Sequence, residues 1–84
     1  MTVDSELDLH RHTVDEALLK LDQYLYSAFV AGLTNVCINH GRGTGVLRLE
    51  ITRELKKHTL VKSFRAGDNW EGGIGVTMVE LMEQ

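Results

Sequence analysis

Three histidines, one aspartate and a set of arginines and glycines carry most of the chemistry open to this chain. Asp8, His10, Arg11 and His12 fall in the run DLHRH, and His40, Gly41, Arg42, Gly43 and Gly45 fall in HGRGTG. Imidazole titrates near neutrality, so a histidine in either run suits proton transfer. His10 reads as a group that orients water or shuttles a proton, or as a strand-end histidine with a satisfied hydrogen bond. Asp8 reads as the residue that orients His10, as a base or metal ligand, or as a polar residue on an exposed strand face. His40 suits contact with a phosphate or protonation of a leaving oxygen. Arg42 suits phosphate because its guanidinium is planar and always charged. Glycine costs backbone entropy, so glycines at alternate positions imply a sharp turn, a backbone that something approaches closely, or both. His12 stays open between a functional and a structural reading.

Spacing weakens several other readings. A P-loop needs a lysine after its glycines, and none follows Gly45. The dinucleotide fingerprint has a different glycine spacing and follows the first strand of a longer, doubly wound fold. His10, His12, Cys37 and His40 lack the paired spacings of a structural zinc site. Glu16 stands three residues after Thr13, the pattern of a capping box rather than of a catalyst. Cys37 reads as a buried strand residue.

The elements that position these residues follow from hydrophobic period. ELDLH (Glu6–His10) alternates as a half-buried strand, with Leu7 and Leu9 toward the core. Thr13 then caps a helix whose stripe is Val14, Leu18, Leu21, Leu25 and Ala28, ending near Gly32. NVCIN (Asn35–Asn39) reads as a buried strand. A second helix is expected from about Gly45 to His58, with Leu47, Ile51 and Leu55 inward. LVKSFR (Leu60–Arg65) and GVTMVEL (Gly75–Leu81) read as strands on either side of a turn-rich loop, Ala66–Gly73. The order βαβαββ implies parallel pairing with right-handed crossovers and an open two-layer α/β sandwich. Ligands of parallel sheets bind where strands feed helix N-termini. His10, Arg11, His12, His40 and Arg42 are therefore expected at one sheet edge, with His10 and His40 there rather than in the core.

Composition sets the limits. The chain is one domain, expected over residues 6–82 with flexible ends at 1–5 and 83–84. No apolar run nears the ~20 residues of a membrane span, and the acidic start does not resemble a signal peptide, so a cytoplasmic setting is expected. The net charge of −3 hides a pattern. Residues 40–65 hold seven bases, Arg48 among them, against two acids, while both flanks are acidic. The middle third thus carries a local positive field, unless it is only a solvated helix face. Trp70 reads as a stacking platform for an unpaired base or as a cover for the core edge.

LDLHRHTVDEAL, HGRGTGVLR and GGIGVTMVEL resemble the three characteristic segments of the Smr (small MutS-related) domain, in particular the one that closes the bacterial MutS2 proteins. The likeness covers about Glu6 to Leu81. It implies a four-stranded mixed sheet similar to the C-terminal domain of translation initiation factor 3, with the last strand antiparallel between strands two and three. It implies DNA or RNA as partner, a larger MutS2-like chain around the domain, and nicking of nucleic acid or, in some MutS2 proteins, ribosome rescue without cutting. On this reading Asp8, His10 and His40 are catalytic. Arg11, His12, Gly41, Arg42, Gly43, Gly45, Arg48 and Trp70 bind nucleic acid. RNA cleavage can use an internal 2′-hydroxyl; for DNA, Mg2+ or Mn2+ is expected, with Asp8 the candidate ligand. The family commonly has glycine where this chain has Arg11, so a positive φ there would be adopted at a cost.

Overall fold

A computed structural model describes residues 3–84; the first two residues of the expected flexible end lie outside it. The elements are β1 (Glu6–Asp8), α1 (Val14–Val30), β2 (Asn35–Asn39), α2 (Val46–Lys57), β3 (Val61–Ala66) and β4 (Val76–Leu81). Two short 3-10 turns, Asn69–Glu71 and Gly73–Gly75, fill the loop before β4. The sheet order is β1-β2-β4-β3. β1 and β2 are parallel, and β4 runs antiparallel to both β2 and β3. This is the βαβαββ mixed sheet expected above.

Both helices pack on one face of the sheet. Ala17, Leu21, Leu25 and Ala28 of α1 and Ile51 and Leu55 of α2 meet Val36, Ile38, Val79 and Leu81, with Leu9 also fully buried. Each such side chain taken from water stabilises the fold by roughly 1.5–3 kcal/mol, less for alanine. The α1 stripe is turned slightly from its expected position: Ala17 is buried, whereas Val14 and Leu18 are half-buried. Leu7 and Leu47 are likewise only half-buried. At the far end His58 joins the helices, its Nε2–H donating to Asp22 at 2.9 Å while Nδ1 accepts the Leu60 N–H at 3.2 Å.

β1 is shorter than the expected five residues. Leu9 N–H still bonds to the Asn39 carbonyl, but the chain then turns and His12 N–H bonds back to the Leu9 carbonyl at 3.2 Å. That turn, not strand, carries His10 and Arg11. Of the expected flexible ends, Asp4 accepts the Tyr24 hydroxyl and Ser5 accepts the Cys37 N–H through their carbonyls. Gln84 donates to the Phe29 carbonyl. Among the described residues no helix is long and apolar enough to cross a membrane.

Candidate functional site

Because β1 and β2 are parallel neighbours, their C-terminal ends deliver the two motif runs to one edge. The turn after β1 (His10–Thr13) and the turn after β2 (His40–Gly45) face each other across a cleft of about 490 Å³. Gly41 makes the close approach possible. Its φ is +76°, and a Cβ there would stand 3.2 Å from the His10 Cβ. Gly43 has open space where its Cβ would be, so nothing steric requires glycine at that position.

The two helices that start at this edge are finished differently. α1 is closed by its own residues: Glu16 N–H donates to Thr13 Oγ1 at 3.2 Å, and Thr13 N–H to Glu16 Oε1 at 3.0 Å. This is the capping box expected above, and it occupies Glu16. α2 begins at Gly45 with no side-chain cap and no acid in its first turn. The N–H groups of Leu47 and Arg48 find no acceptor among the described residues. An uncapped helix start of this kind presents partial positive charge and free donors to the cleft. Arg11, Arg42 and Arg48 line the same cleft. The glycine turn offers fewer amides than expected, however. Gly41 N–H is taken by the Gly75 carbonyl and Asn39 Oδ1, each at 3.0 Å.

His10 lines this cleft and is paired with Asp8. Asp8 Oδ1 accepts the His10 backbone N–H at 3.0 Å and is hydrogen-bonded to His10 Nδ1. The His10 side-chain bond, above all, holds the Asp8 carboxyl below its ordinary value, so it is ionised at neutral pH. An ionised carboxylate on Nδ1 sets the tautomer with its proton there and leaves Nε2 as an acceptor. His12 is engaged elsewhere: Nδ1–H donates to the His10 carbonyl at 3.3 Å, and Nε2 accepts Lys20 Nζ at 2.8 Å. Lys20 is a cation beside the site that the sequence reading missed. Its signal was its place two helical turns beyond His12, on the helix that the motif opens.

His40 is placed differently from the expectation. It lies at the correct edge but is buried, with 4% of its surface exposed. Gly41 C=O accepts Nδ1–H at 3.1 Å, which leaves Nε2 to accept the Thr77 hydroxyl at 2.8 Å. Burial lowers its pKa, the nearby Arg48 charge adds to this, and the Gly41 bond opposes it. Both ring nitrogens are committed within the protein. Thr77, itself 2% exposed, is a second residue not singled out from the sequence.

Arg42 reaches across to the loop before β4. Its Nη2 donates to the Gly72 carbonyl at 3.5 Å, and its side chain runs over Gly73 and Gly75. A Cβ on Gly75 would come 3.2 Å from Arg42 Cγ. The GGIG run therefore leaves room for this guanidinium. Trp70 is 82% exposed and does not line the cleft, so it does not serve as a cover for the core edge. As for Mg2+ or Mn2+, no three His, Cys, Asp or Glu side chains cluster as a ligand set among the described residues. Asp8 contributes a single carboxylate, one oxygen of which already serves His10. The donor set does not fit a resident metal cage.

Arg11 has φ +72°, the only non-glycine residue with positive φ among those described. Left-handed backbone costs an arginine about 1–2 kcal/mol, offset in part by the greater unfolded-state entropy of glycine. Arg11→Gly is therefore expected to raise stability by about 0.5–1 kcal/mol in urea unfolding. A loss of stability would mean that the turn is not strained.

Comparison with known proteins adds three findings. The family model of the Smr domain matches residues 7–82. The chain is 53% identical over 79 residues to the endonuclease MutS2 of Pelotomaculum thermopropionicum, covering 94% of this chain and 10% of that protein. It therefore spans about a tenth of the length of such relatives. Among solved structures, the Smr domain of Thermus thermophilus MutS2 superposes with a TM-score of 0.90 at 45% identity, over 92% of this chain and 96% of that one. YdaL, a stand-alone small MutS-related protein from Escherichia coli, gives 0.89 at 27% identity, over 94% of this chain and 65% of that one.

Proposed function

Since this chain belongs to the Smr domain family, we propose that it is the nucleic-acid-binding and nicking part of a larger, cytoplasmic MutS2-like protein that acts in DNA recombination or repair. The observation that carries this reading is the cleft itself. An uncapped helix start, three arginines and His10 line one cleft, and Asp8 holds the His10 ring so that its free nitrogen is an acceptor. Phosphate meets Arg11, Arg42, Arg48 and the Leu47 and Arg48 amides, contacts that read charge rather than sequence. His10 Nε2 takes the proton from the attacking oxygen, water or an RNA 2′-hydroxyl. That oxygen bonds to phosphorus as the bond to the leaving oxygen breaks, the leaving oxygen takes a proton from solvent water, and the arginines stabilise the added charge. Asp8 stabilises the imidazolium. His40 acts at one remove, by pinning the glycine turn to β4. The similarity to proteins named endonuclease supports the cleavage half of the reading.

Incubation of the purified chain with supercoiled plasmid and with structured RNA, each with magnesium, manganese or chelator, tests this directly. Nicked product that scales with protein supports it, and the metal arms show whether an ion joins with the substrate. Binding without turnover favours a module that docks on RNA or a ribosome without cutting, a reading helped by the internal commitment of His40. For binding, Arg42→Ala is expected to weaken affinity and reduce the salt slope by about 0.7–0.9, the value for one phosphate contact. An unchanged slope in fluorescence-anisotropy titrations at several salt concentrations would remove Arg42 from the interface.

A further inference from the structure

Resting on the nucleic-acid reading, we propose that the turn from Asp68 to Gly75 is a base-stacking subsite, with Trp70 and Ile74 as its platforms, which makes the cleft prefer unpaired nucleotides to a continuous duplex. Trp70 is 82% exposed and Ile74 58% exposed. Large apolar side chains shown to water beside a charged cleft mark a contact surface.

The turn that displays them is held firmly. Arg65 forks onto Glu71 with bonds of 2.7 and 2.9 Å, and Glu71 Oε1 also accepts the Asp68 N–H at 2.8 Å. The Asp68 carbonyl accepts the N–H groups of Glu71 and Gly73 at 2.8 and 2.9 Å. Trp70 is thus shown on a clamped backbone, so little ordering remains when a ligand arrives. The turn is also joined to the arginine cleft. Arg42 bonds to Gly72 and crosses Gly73, where a Cβ would stand 3.1 Å from Nη2 and 4.0 Å from Asn69 Oδ1. Ile74 lines a smaller hollow with the glycine turn and Arg48.

Charge selects the occupant. Arg42 and Arg48 line the same hollow as Ile74, and Arg42 bonds to the turn that carries Trp70. The acids of the turn, Asp68 and Glu71, both face Arg65, at 3.8 and 2.7 Å. A ligand with phosphates for the arginines and flat apolar faces for Trp70 and Ile74 is a nucleic-acid strand with unstacked bases. In a duplex those faces are covered by neighbouring pairs. Stacking of this kind accepts any base.

Trp70 is the chain's single tryptophan, so its fluorescence reports on this subsite alone. The test titrates the protein with an end-labelled oligothymidylate of about 12 nucleotides, within the span such sites cover, and with a blunt duplex of equal length. Label anisotropy and tryptophan emission are followed together. Anisotropy should rise with both ligands, and emission should be quenched by the single strand only. Trp70→Ala should weaken single-strand binding about 5- to 100-fold, the range for loss of one stacked base, and change duplex binding less than about twofold. Binding of the single strand without quenching, or equal weakening of both ligands in Trp70→Ala, would overturn the subsite and leave the nucleic-acid reading standing. No rise in anisotropy with either ligand would overturn both.

Discussion

His10→Ala is expected to abolish most cleavage, by about 10²–10⁴-fold, the usual contribution of a positioned general base. Stability should change by less than about 1 kcal/mol, because His10 lies in an exposed turn. The loss should appear in the rate at saturating substrate, since Arg11, Arg42 and Arg48 remain to bind phosphate. Asp8→Asn gives a sharper version of the same test. It keeps a polar group of similar size next to His10 Nδ1 but removes the charge that sets the tautomer and stabilises the imidazolium. It should therefore cut the rate with little change in affinity. His12 cannot take over, because Lys20 already occupies its Nε2. Wild-type rates in both variants, from matched preparations with intact binding, would show that this pair is not the base.

What could be read from the sequence was what local chemistry determines. The Thr13–Glu16 capping box lies within four residues, and the start of α1 follows from it. HGRGTG announces a turn before a helix because glycines at 41 and 45 take positive φ, and both are at +76° or above. The cost of arginine at position 11 was legible only through the resemblance to a family that commonly has glycine there. What escaped depends on residues far apart in the chain. His40 is buried because β4 lies between β2 and β3 and sets Ile38 opposite Thr77, which brings a hydroxyl from 37 residues away to its Nε2. A histidine beside glycines looks the same in sequence whether its ring points to solvent or to the sheet. The Gly75 carbonyl that takes the His40 and Gly41 amides was hidden in the same way. The halt of β1 at Asp8 was missed because the alternation of ELDLH continues through a turn that no longer pairs as a strand.

The consequence for His40 is a large effect of a different kind from that of His10. His40→Ala is expected to cost about 2–3 kcal/mol, because it removes a buried ring and leaves the Thr77 hydroxyl without its acceptor. A domain of this length is stable by only ~4–12 kcal/mol, so the change is large but survivable. Thr77→Val should cost less, and the double variant should cost less than the sum of the two singles, since each single change strands the other partner. Solution pH separates this account from simple cavity formation. The folded-state pKa of His40 lies below its ordinary value of 6.5, chiefly through burial. The unfolded chain therefore binds a proton at His40 that the folded chain resists, and the stability this residue contributes is full above pH 6.5 and is lost as pH falls through the folded value. The alanine variant has no proton to bind there. The gap in unfolding free energy between wild type and His40→Ala, measured by urea denaturation, should thus be widest near pH 8 and narrow steadily below about pH 6.5. The other histidines are present in both proteins, so they drop out of the difference. A gap that stayed constant from pH 8 to pH 5, or widened on acidification, would mean that His40 is not held neutral between Gly41 and Thr77. Its return to the list of proton donors in the cleft would then follow.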